Sequence, residues 1–421
     1  MKFTRIDKFH TNAHWVFQIN FKCYTIYLVL IRILAITNQH ALMRLVLVMS
    51  FLLVGLFSTA QIGGNSTYQF LNVPVSSRVG AMGGSALSIR DDDPNLTLNN
   101  PSLLTQPMST SVTLTYLNYF ADINYGYVSY IHDIKKWGTF SAGLNYIDYG
   151  KFLETDPGGN ELGNFTAGEY AFVLGWGKSI DSLFSVGANL KPIYSNLYEY
   201  HSFGMALDVA ATYYNPKSNI GVSAIVRNIG TQITTYVEGT EREPIPFEIQ
   251  MGVSKKLKYV PIRLSVDLVQ LQNWNLAFND STYITNTNKK LTDEEKFEKN
   301  QTSIWDEAFR HVIVGAEIIP SKSFSVRFGF NYKRRAELGL DDSAGLTGLS
   351  WGFGFRIKKF YLSYGSARYH LAGSSNHFTV STNIGDFYKK AVIPTQPKEK
   401  KEKKVRIPKE KKSKKDNSTE Q

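Results

Sequence analysis

Strands that alternate apolar and polar residues recur from about Val112 to Gly385, and the connections between them alternate short and long. No other feature of the chain restricts its fold so strongly. Phe324, Val326, Phe328, Phe330 and Tyr332 form one face of such a strand, and Ser325, Arg327, Gly329 and Asn331 the other. Ile262, Leu264, Val266 and Leu268 oppose Arg263, Ser265 and Asp267. Phe203, Met205, Leu207, Val209 and Ala211 oppose Gly204, Ala206, Asp208, Ala210 and Thr212. A period of two belongs to a strand with lipid on one side and a polar lumen on the other. Lipid does not tolerate an open sheet edge, so such a sheet must close on itself.

The pattern predicts an all-β fold, a transmembrane antiparallel β-barrel of about 14 strands with an N-terminal plug segment. The strands fall near 112–119, 123–132, 137–148, 168–180, 183–193, 203–214, 219–228, 247–257, 261–272, 311–320, 323–332, 346–357, 359–367 and 376–385. Connections after even-numbered strands are tight: 132–136, Asp181-Ser182, Asn215 to Ser218, Tyr259-Val260 and Ser321-Lys322. Those after odd-numbered strands read as long loops: 149–167, 194–202, 229–246, 273–310, 333–345 and 368–375. Bacterial barrels keep this parity, with short periplasmic turns and long outer loops. A soluble sandwich has no reason to. The chain's 24 tyrosines and 26 phenylalanines are ample for the aromatic girdles such a barrel needs at its two interfaces.

The flanks read differently. Met43-Arg44, the apolar run Leu45 to Phe57, and Ser58-Thr59-Ala60 form a signal peptide over 43–60, with cleavage before Gln61. Residues 1–42 then read as an upstream extension from a misassigned start codon. The rival reading makes Tyr24–Ile36 part of a helical anchor, but Arg32 interrupts it and it is short for a bilayer. The single cysteine, Cys23, lies upstream of the signal peptide, so residues 61–421 offer no disulfide, thiolate nucleophile or Cys-ligated metal. The whole chain carries +11, residues 1–60 carry +5 and residues 389–421 carry +8, which leaves 61–388 at about −2. The basic character belongs to the ends. The Lys-rich tail 389–421 is almost devoid of apolar residues and reads as disordered, either simply solvated or in contact with anionic lipid, cell wall or a periplasmic partner. Export speaks against nucleic acid as a partner.

Between signal peptide and barrel lies a Gly-rich segment, 61–110, which lacks the period of the strands. A barrel wider than about eight strands leaves a lumen to fill, and this segment is the candidate plug. Its opening runs Gly63-Gly64, Thr67-Tyr68, Phe70-Leu71, Pro74, Arg78 and Gly83-Gly84, followed by Asn99-Asn100-Pro101. These residues resemble the PorV/PorQ branch of the FadL-like outer-membrane barrels, a family of the type IX secretion system of Bacteroidota. The resemblance covers roughly 61–388. Asn100-Pro101 matches an Asn-Pro element shared more widely by FadL-like barrels. Two features depart from the family pattern: the Lys-rich tail beyond the final strand, and the polar 273–310 loop. The resemblance implies a non-enzymatic anchor for the cell-surface complex that attaches secreted cargo to lipopolysaccharide. It implies a PorZ-like surface protein, a PorU-like sortase and a PorV-like barrel as partners. The other reading is a FadL-like transporter passing a hydrophobic small molecule, with Gly175-Trp176-Gly177 and Gly352-Phe353-Gly354 as candidate wall kinks.

Sites of chemistry are sparse. Asp91-Asp92-Asp93 lacks Ca²⁺-loop spacing and is followed by Pro94, so it reads as a turn or helix cap. Gly63-Gly64 and Gly83-Gly84 have no following Lys-Ser/Thr and read as tight backbone packing inside the barrel. His132, His201, His311, His370 and His377 are scattered, without metal-ligand spacing, so neither a catalytic residue nor a cofactor or metal is assigned. Arg263 and Asp267 share the polar face of one strand, either within a lumenal charge network holding the plug or merely solvated. Lys255, Lys256 and Lys258 sit at a tight turn, level with lipid headgroups. The loop 273–310 carries Trp274, Phe278, Phe297, Trp305 and Phe309, either a partner hot spot or a cap over the barrel mouth, with Leu291–Phe297 a candidate short helix. Mass spectrometry of the membrane-inserted protein is expected to begin at Gln61; recovery of a peptide from residues 1–42 would overturn the assignment of the extension.

Overall fold

A computed structural model describes residues 66–277, 303–338, 346–370 and 373–388. Fourteen antiparallel strands close into one barrel. They are β1 (Ser111–Asn118), β2 (Asn124–Ile134), β3 (Gly138–Thr155), β4 (Glu161–Ser179), β5 (Phe184–Leu197), β6 (Tyr200–Asn215), β7 (Ile220–Thr234), β8 (Glu248–Lys256), β9 (Ile262–Leu268), β10 (Val312–Ser321), β11 (Phe324–Asn331), β12 (Leu349–Ile357), β13 (Phe360–His370) and β14 (Gly373–Asn383). Every strand pairs with its sequence neighbours, and β1 closes on β14 from Ser111 opposite Asn383 to Asn118 opposite Asn376. Closure leaves no edge in the lipid band, as the hydrocarbon requires.

The predicted faces hold. On β11, Phe324 and Phe328 are exposed while Ser325 and Arg327 are buried; on β9, Leu264, Val266 and Leu268 are exposed while Arg263, Ser265 and Asp267 are buried. A continuous aromatic row crosses the outer wall: Phe353 faces Tyr364, which faces Phe378, then Tyr116, Gly126, Tyr146, Tyr170, Tyr194 and Phe203. Gly126 is the one break, and the Tyr146 ring occupies the space its side chain would need. At the tight-turn end Trp137, Phe184, Tyr259 and Phe360 are exposed. These are the two aromatic levels of a membrane-spanning barrel.

Three expectations need correction. The segments 149–167, 194–202 and 229–246 were expected as loops, yet β3 and β4 run on to Thr155 and back from Glu161, β5 and β6 continue to Leu197 and from Tyr200, and β7 continues to Thr234. About ten residues cross the lipid, so these strands rise well above it as pleated ribbon. Above the membrane no lipid enforces alternation, which is why the pattern fades there. The connection 333–345 is likewise not all loop, since a short helix, Tyr332–Leu338, opens it. Finally, the connection 368–375 is mostly strand rather than long loop, since β13 runs to His370 and β14 starts at Gly373. Thr113, Ser129, Asn145, Ser185, Asn189, Thr212 and Ser223 all face inward and all are buried.

What buries them is the segment 66–110. It carries one short helix, α1 (Ser77–Ala81), and several single 3-10 turns. Tyr68, Phe70, Leu71 and Val75 pack with Leu117, Tyr125, Ile147, Val173 and Ile193 from the wall. Val79, Met82, Ala86, Ile89, Leu96 and Leu103 form a second cluster within the plug itself. Burial at roughly 25 cal/mol per Å² of apolar surface gives this packing its main stabilisation. The Lys-rich tail, the signal peptide and the extension lie outside the described residues.

Candidate functional site

The plug is held by charge as well as by packing. Arg78 on α1 sits among three carboxylates: Nη2 donates to Asp91 Oδ2 at 2.6 Å and to Glu317 Oε2 at 2.8 Å, and Nη1 donates to Asp93 Oδ2 at 2.7 Å. Two wall arginines join it. Arg263 Nη1 reaches Asp91 at 2.6 Å and Glu317 at 2.7 Å. Arg327 Nε reaches Glu317 Oε1 at 2.8 Å, and its Nη atoms donate to Ser363 Oγ and Tyr361 Oη. Three guanidinium groups thus meet three carboxylates, with Arg78, Asp91 and Asp93 from the plug and Arg263, Glu317 and Arg327 from β9, β10 and β11. Arg327 and Glu317 are 1 % exposed. Forked Arg–carboxylate bonds are the strong kind of ion pair. Because three guanidinium groups are matched by three carboxylates, the cost of taking them out of water is offset only while the set is complete.

The sequence explains the local geometry. Asp93 accepts from the Asn95 amide at 3.0 Å and so caps the turn opened by Pro94, as expected for this acidic run. Its neighbour Asp92 accepts from Thr105 Oγ1 at 2.6 Å. The run is therefore a cap and an ion-pair partner together, and the second role escaped sequence reading. Of the Arg263/Asp267 pair, Arg263 is in the network. Asp267 accepts from the Leu87 amide of the plug at 3.4 Å and has no ion pair among the described residues.

The other plug residues singled out by the sequence are brought against the wall. The Thr67 amide donates to the Pro244 carbonyl at 3.0 Å, so the plug begins at the long-loop end. Tyr68 Oη and Ser202 Oγ lie 2.5 Å apart. Phe70, Leu71 and Pro74 are buried. Gly83 and Gly84 adopt φ of 89° and 101°; a Cβ on Gly83 would meet Ile313 at 2.6 Å, so the tight-packing reading of this pair is right. Asn100 Nδ2 donates to the Leu87 carbonyl at 2.7 Å, and its Oδ1 accepts from the Ser102 amide at 3.0 Å, setting the turn at Pro101. That turn presses on β5: a Cβ on Gly187 would meet the Pro101 carbonyl carbon at 2.4 Å. Gly63 and Gly64 lie outside the described residues.

Glycine therefore serves plug seating, not wall kinks. The β3–β4 ladder runs unbroken past Gly175-Trp176-Gly177, and β11–β12 and β12–β13 run unbroken past Gly352-Phe353-Gly354. The wall is irregular elsewhere. Bridging between β4 and β5 stops after Ala171–Ile193 and resumes at Leu174–Leu190, at the level of Pro192, which has no N–H to donate. A register shift between β6 and β7 follows close by, where Asn228 has φ 54°. Buried Lys191 donates there to Asp208 at 2.6 Å and to Asn228 at 2.9 Å. The cavity behind, lined by Leu71, Leu98, Val173, Lys191 and Arg227 among others, has a volume of about 10 Å³. That is room for one water. A second recess, about 160 Å³, opens at the tight-turn end and is lined by Arg78, the three aspartates, Glu317, Arg327 and Arg356.

Among the aromatics of the 273–310 loop, Trp274 stacks on His311 with ring centroids 5.7 Å apart, and Phe309 lies 5.8 Å from Tyr332. Trp274, Trp305 and Phe309 remain exposed. A helix forms at Ile304–Arg310. Phe278, Phe297 and the candidate helix Leu291–Phe297 lie outside the described residues. Both ring nitrogens of His311 face carbonyls, of Val269 at 2.8 Å and Trp274 at 3.2 Å, and His377 Nδ1 faces the Val75 carbonyl at 2.9 Å. These buried histidines are structural. No group of His, Cys, Asp and Glu fit to hold a metal occurs among the described residues.

No family model matches the chain, and no curated protein matches it. Solved structures of similar shape include the toluene transporter TbuX of Ralstonia pickettii, at 13 % identity and TM-score 0.42, over 74 % of this chain and 98 % of that one. The toluene transporter TodX of Pseudomonas putida follows at 10 %, TM-score 0.43, over 73 % and 96 %. A FadL homologue of Pseudomonas aeruginosa stands at 9 %, TM-score 0.40, over 73 % and 98 %. At these values the likeness is one of shape, and nothing about activity is argued from it.

Two tests follow from the network. Arg78→Ala strands Asp91, Asp93 and Glu317 in a buried site, at a cost of about 3–5 kcal/mol. Amide hydrogen exchange is expected to show the plug opening at least tenfold more often, while β-barrel exchange stays slow. The second concerns pH. Burial pushes the Asp91 carboxyl up, but Arg78 and Arg263 outweigh it and hold it well below the usual carboxylate range. A depressed folded-state pKa contributes stability that is complete above the unfolded value, about 4, and is lost as pH falls further. Plug protection, corrected for intrinsic exchange, should therefore be equal at pH 7 and pH 5 and decline below about pH 4.

Proposed function

We propose that this protein is a closed outer-membrane anchor, a PorQ-like component of the type IX secretion system that holds the cargo-attachment complex at the cell surface. The observation that carries the closed, non-conducting part is the filled lumen: among the described residues the wall's inward side chains are buried against the plug, and a cavity between them has room for no more than a single water. A conduit needs a path or an apolar pocket, and ligand sites of that kind are usually hundreds of Å³. The type IX part rests on the opening block, Thr67-Tyr68 to Gly83-Gly84, which resembles that family. The plug's motif residues have structural duties that suit a permanent stopper. Arg78 is the hub of the ion network, and Asn100 and Pro101 seat the plug on β5 and β6. The expected partners are a PorZ-like surface protein, a PorU-like sortase and a PorV-like barrel, with lipopolysaccharide around the outer rim.

One local feature favours the second reading, passage of a hydrophobic small molecule. The β4–β5 ladder is interrupted beside Pro192, and apolar Leu71, Leu98 and Val173 lie behind it. TodX and TbuX are named as toluene transporters, but the distance to them leaves that reading to the wall alone. Purification from the native outer membrane in mild detergent separates the two. Near-stoichiometric recovery of the surface proteins without an enriched hydrophobic ligand is expected. A solitary barrel carrying a defined apolar molecule would replace the anchor with the transporter.

A further inference from the structure

We infer that the free edge of β3 above the membrane, Lys151 to Thr155, is a strand-addition site for an extended, basic segment of a surface protein. The inference deepens the anchoring reading and rests on it. β2 begins at Asn124, opposite Asp148, so beyond that residue β3 pairs with no strand on that side among the described residues. On its other side it stays paired with β4, from Lys151 opposite Thr166 to Thr155 opposite Glu161. Among the described residues, no other backbone group bonds to 151–155. In an antiparallel pair every second residue directs its N–H and C=O away from the partner strand. The ribbon therefore presents a row of unmet donors and acceptors to solvent, which is what an added strand completes.

Most proteins blunt such an edge. Here the protection is confined to the base. A register shift between Asp148 and Lys151, with Gly150 at φ 84°, bends the ribbon, and the Gly150 amide is met by Asp148 Oδ1 at 2.9 Å. Beyond it, up to Thr155, there is no proline, and among the described residues nothing covers the edge. One face of the ribbon is braced instead. Phe152 stacks on Phe165 at 5.2 Å, Phe165 packs on Tyr198 at 4.7 Å, and Tyr198 Oη donates to Glu154 at 2.7 Å. The ribbon is thus pre-shaped, and an incoming strand need not order it. Leu153, 53 % exposed, stands on the unbraced face beside the edge.

Charge decides the occupant. Between 148 and 166 stand four carboxylates, Asp148, Glu154, Asp156 and Glu161, against one lysine, Lys151. Two copies of the whole ribbon 148–166, each with three more carboxylates than lysines, would repel one another. A strand bearing lysine or arginine at alternate positions completes both the backbone row and the charge.

The test places a photo-crosslinking phenylalanine at Lys151 or Thr155 in the full chain in its native membrane. A second variant replaces residues 151–165 with Asn-Gly, and its barrel assembly is checked by heat-modifiable gel mobility. Crosslinks from both positions are expected to map to one extended, Lys/Arg-bearing stretch of a single surface protein. In the purified complex, the amides of 151–155 should exchange at least tenfold more slowly than in the barrel alone. Crosslinks to a second copy of this chain, or to lipopolysaccharide only, overturn the inference. So does undiminished recovery of the surface partner on the shortened ribbon, an outcome that leaves the anchoring reading standing. If no surface partner accompanies even the unaltered barrel, both fall.

Discussion

Everything in this structure hangs on how a fourteen-strand barrel fills its own middle. Closing the sheet satisfies every backbone group in lipid, but a cylinder of this width is too wide for its own side chains to fill. The chain answers with the segment 66–110. Its residues are apolar enough to pack, small enough to approach the glycines of β4, β5 and β12, and charged at the few points where the wall is charged. The buried set around Arg78 is the point at which plug and wall become one body. A charge network of this kind adds little when compared with apolar packing of equal volume, but it penalises any partial unseating heavily, since each departure strands a charge. That asymmetry suits a stopper: it makes the plug either in place or out.

Much of this was legible beforehand, for identifiable reasons. Lipid imposes a strict period of two, so Phe324 to Tyr332 and Ile262 to Leu268 declared their faces outright. Closure required an even strand count, and the alternation of tight and long connections told the two ends of the barrel apart. Where the physical constraint ends, the reading ended too. Above the bilayer the ribbon 149–166 carries no enforced alternation, and it passed for loop. Inside, small polar residues such as Thr113, Ser185 and Thr212 fit a solvated lumen as well as a plugged one. They line a packed contact, and no local pattern distinguishes the two.

The candidate site was half visible. Arg78 stood in the opening block as a motif residue without a task, and Arg263 as one member of an undecided pair. Their meeting point, Glu317, and the third arginine, Arg327, were missed. A signal existed: each is a lone charge at an inward position of a strand, and a lone inward charge needs a partner. What the sequence lacked was the path of the plug, which brings residues more than two hundred positions apart into one cluster. Similarly, Pro192 within β5 was readable as a ladder break, whereas the glycine pairs drew attention that belonged to plug seating.

The central claim is that the lumen is shut by a fixed plug, and planar-bilayer conductance of the purified barrel addresses it most directly. The account predicts a silent membrane at ordinary voltages, with no stable open level. A steady ohmic conductance from the unaltered protein would contradict it, because no ion path of that kind fits a wall buried against its plug.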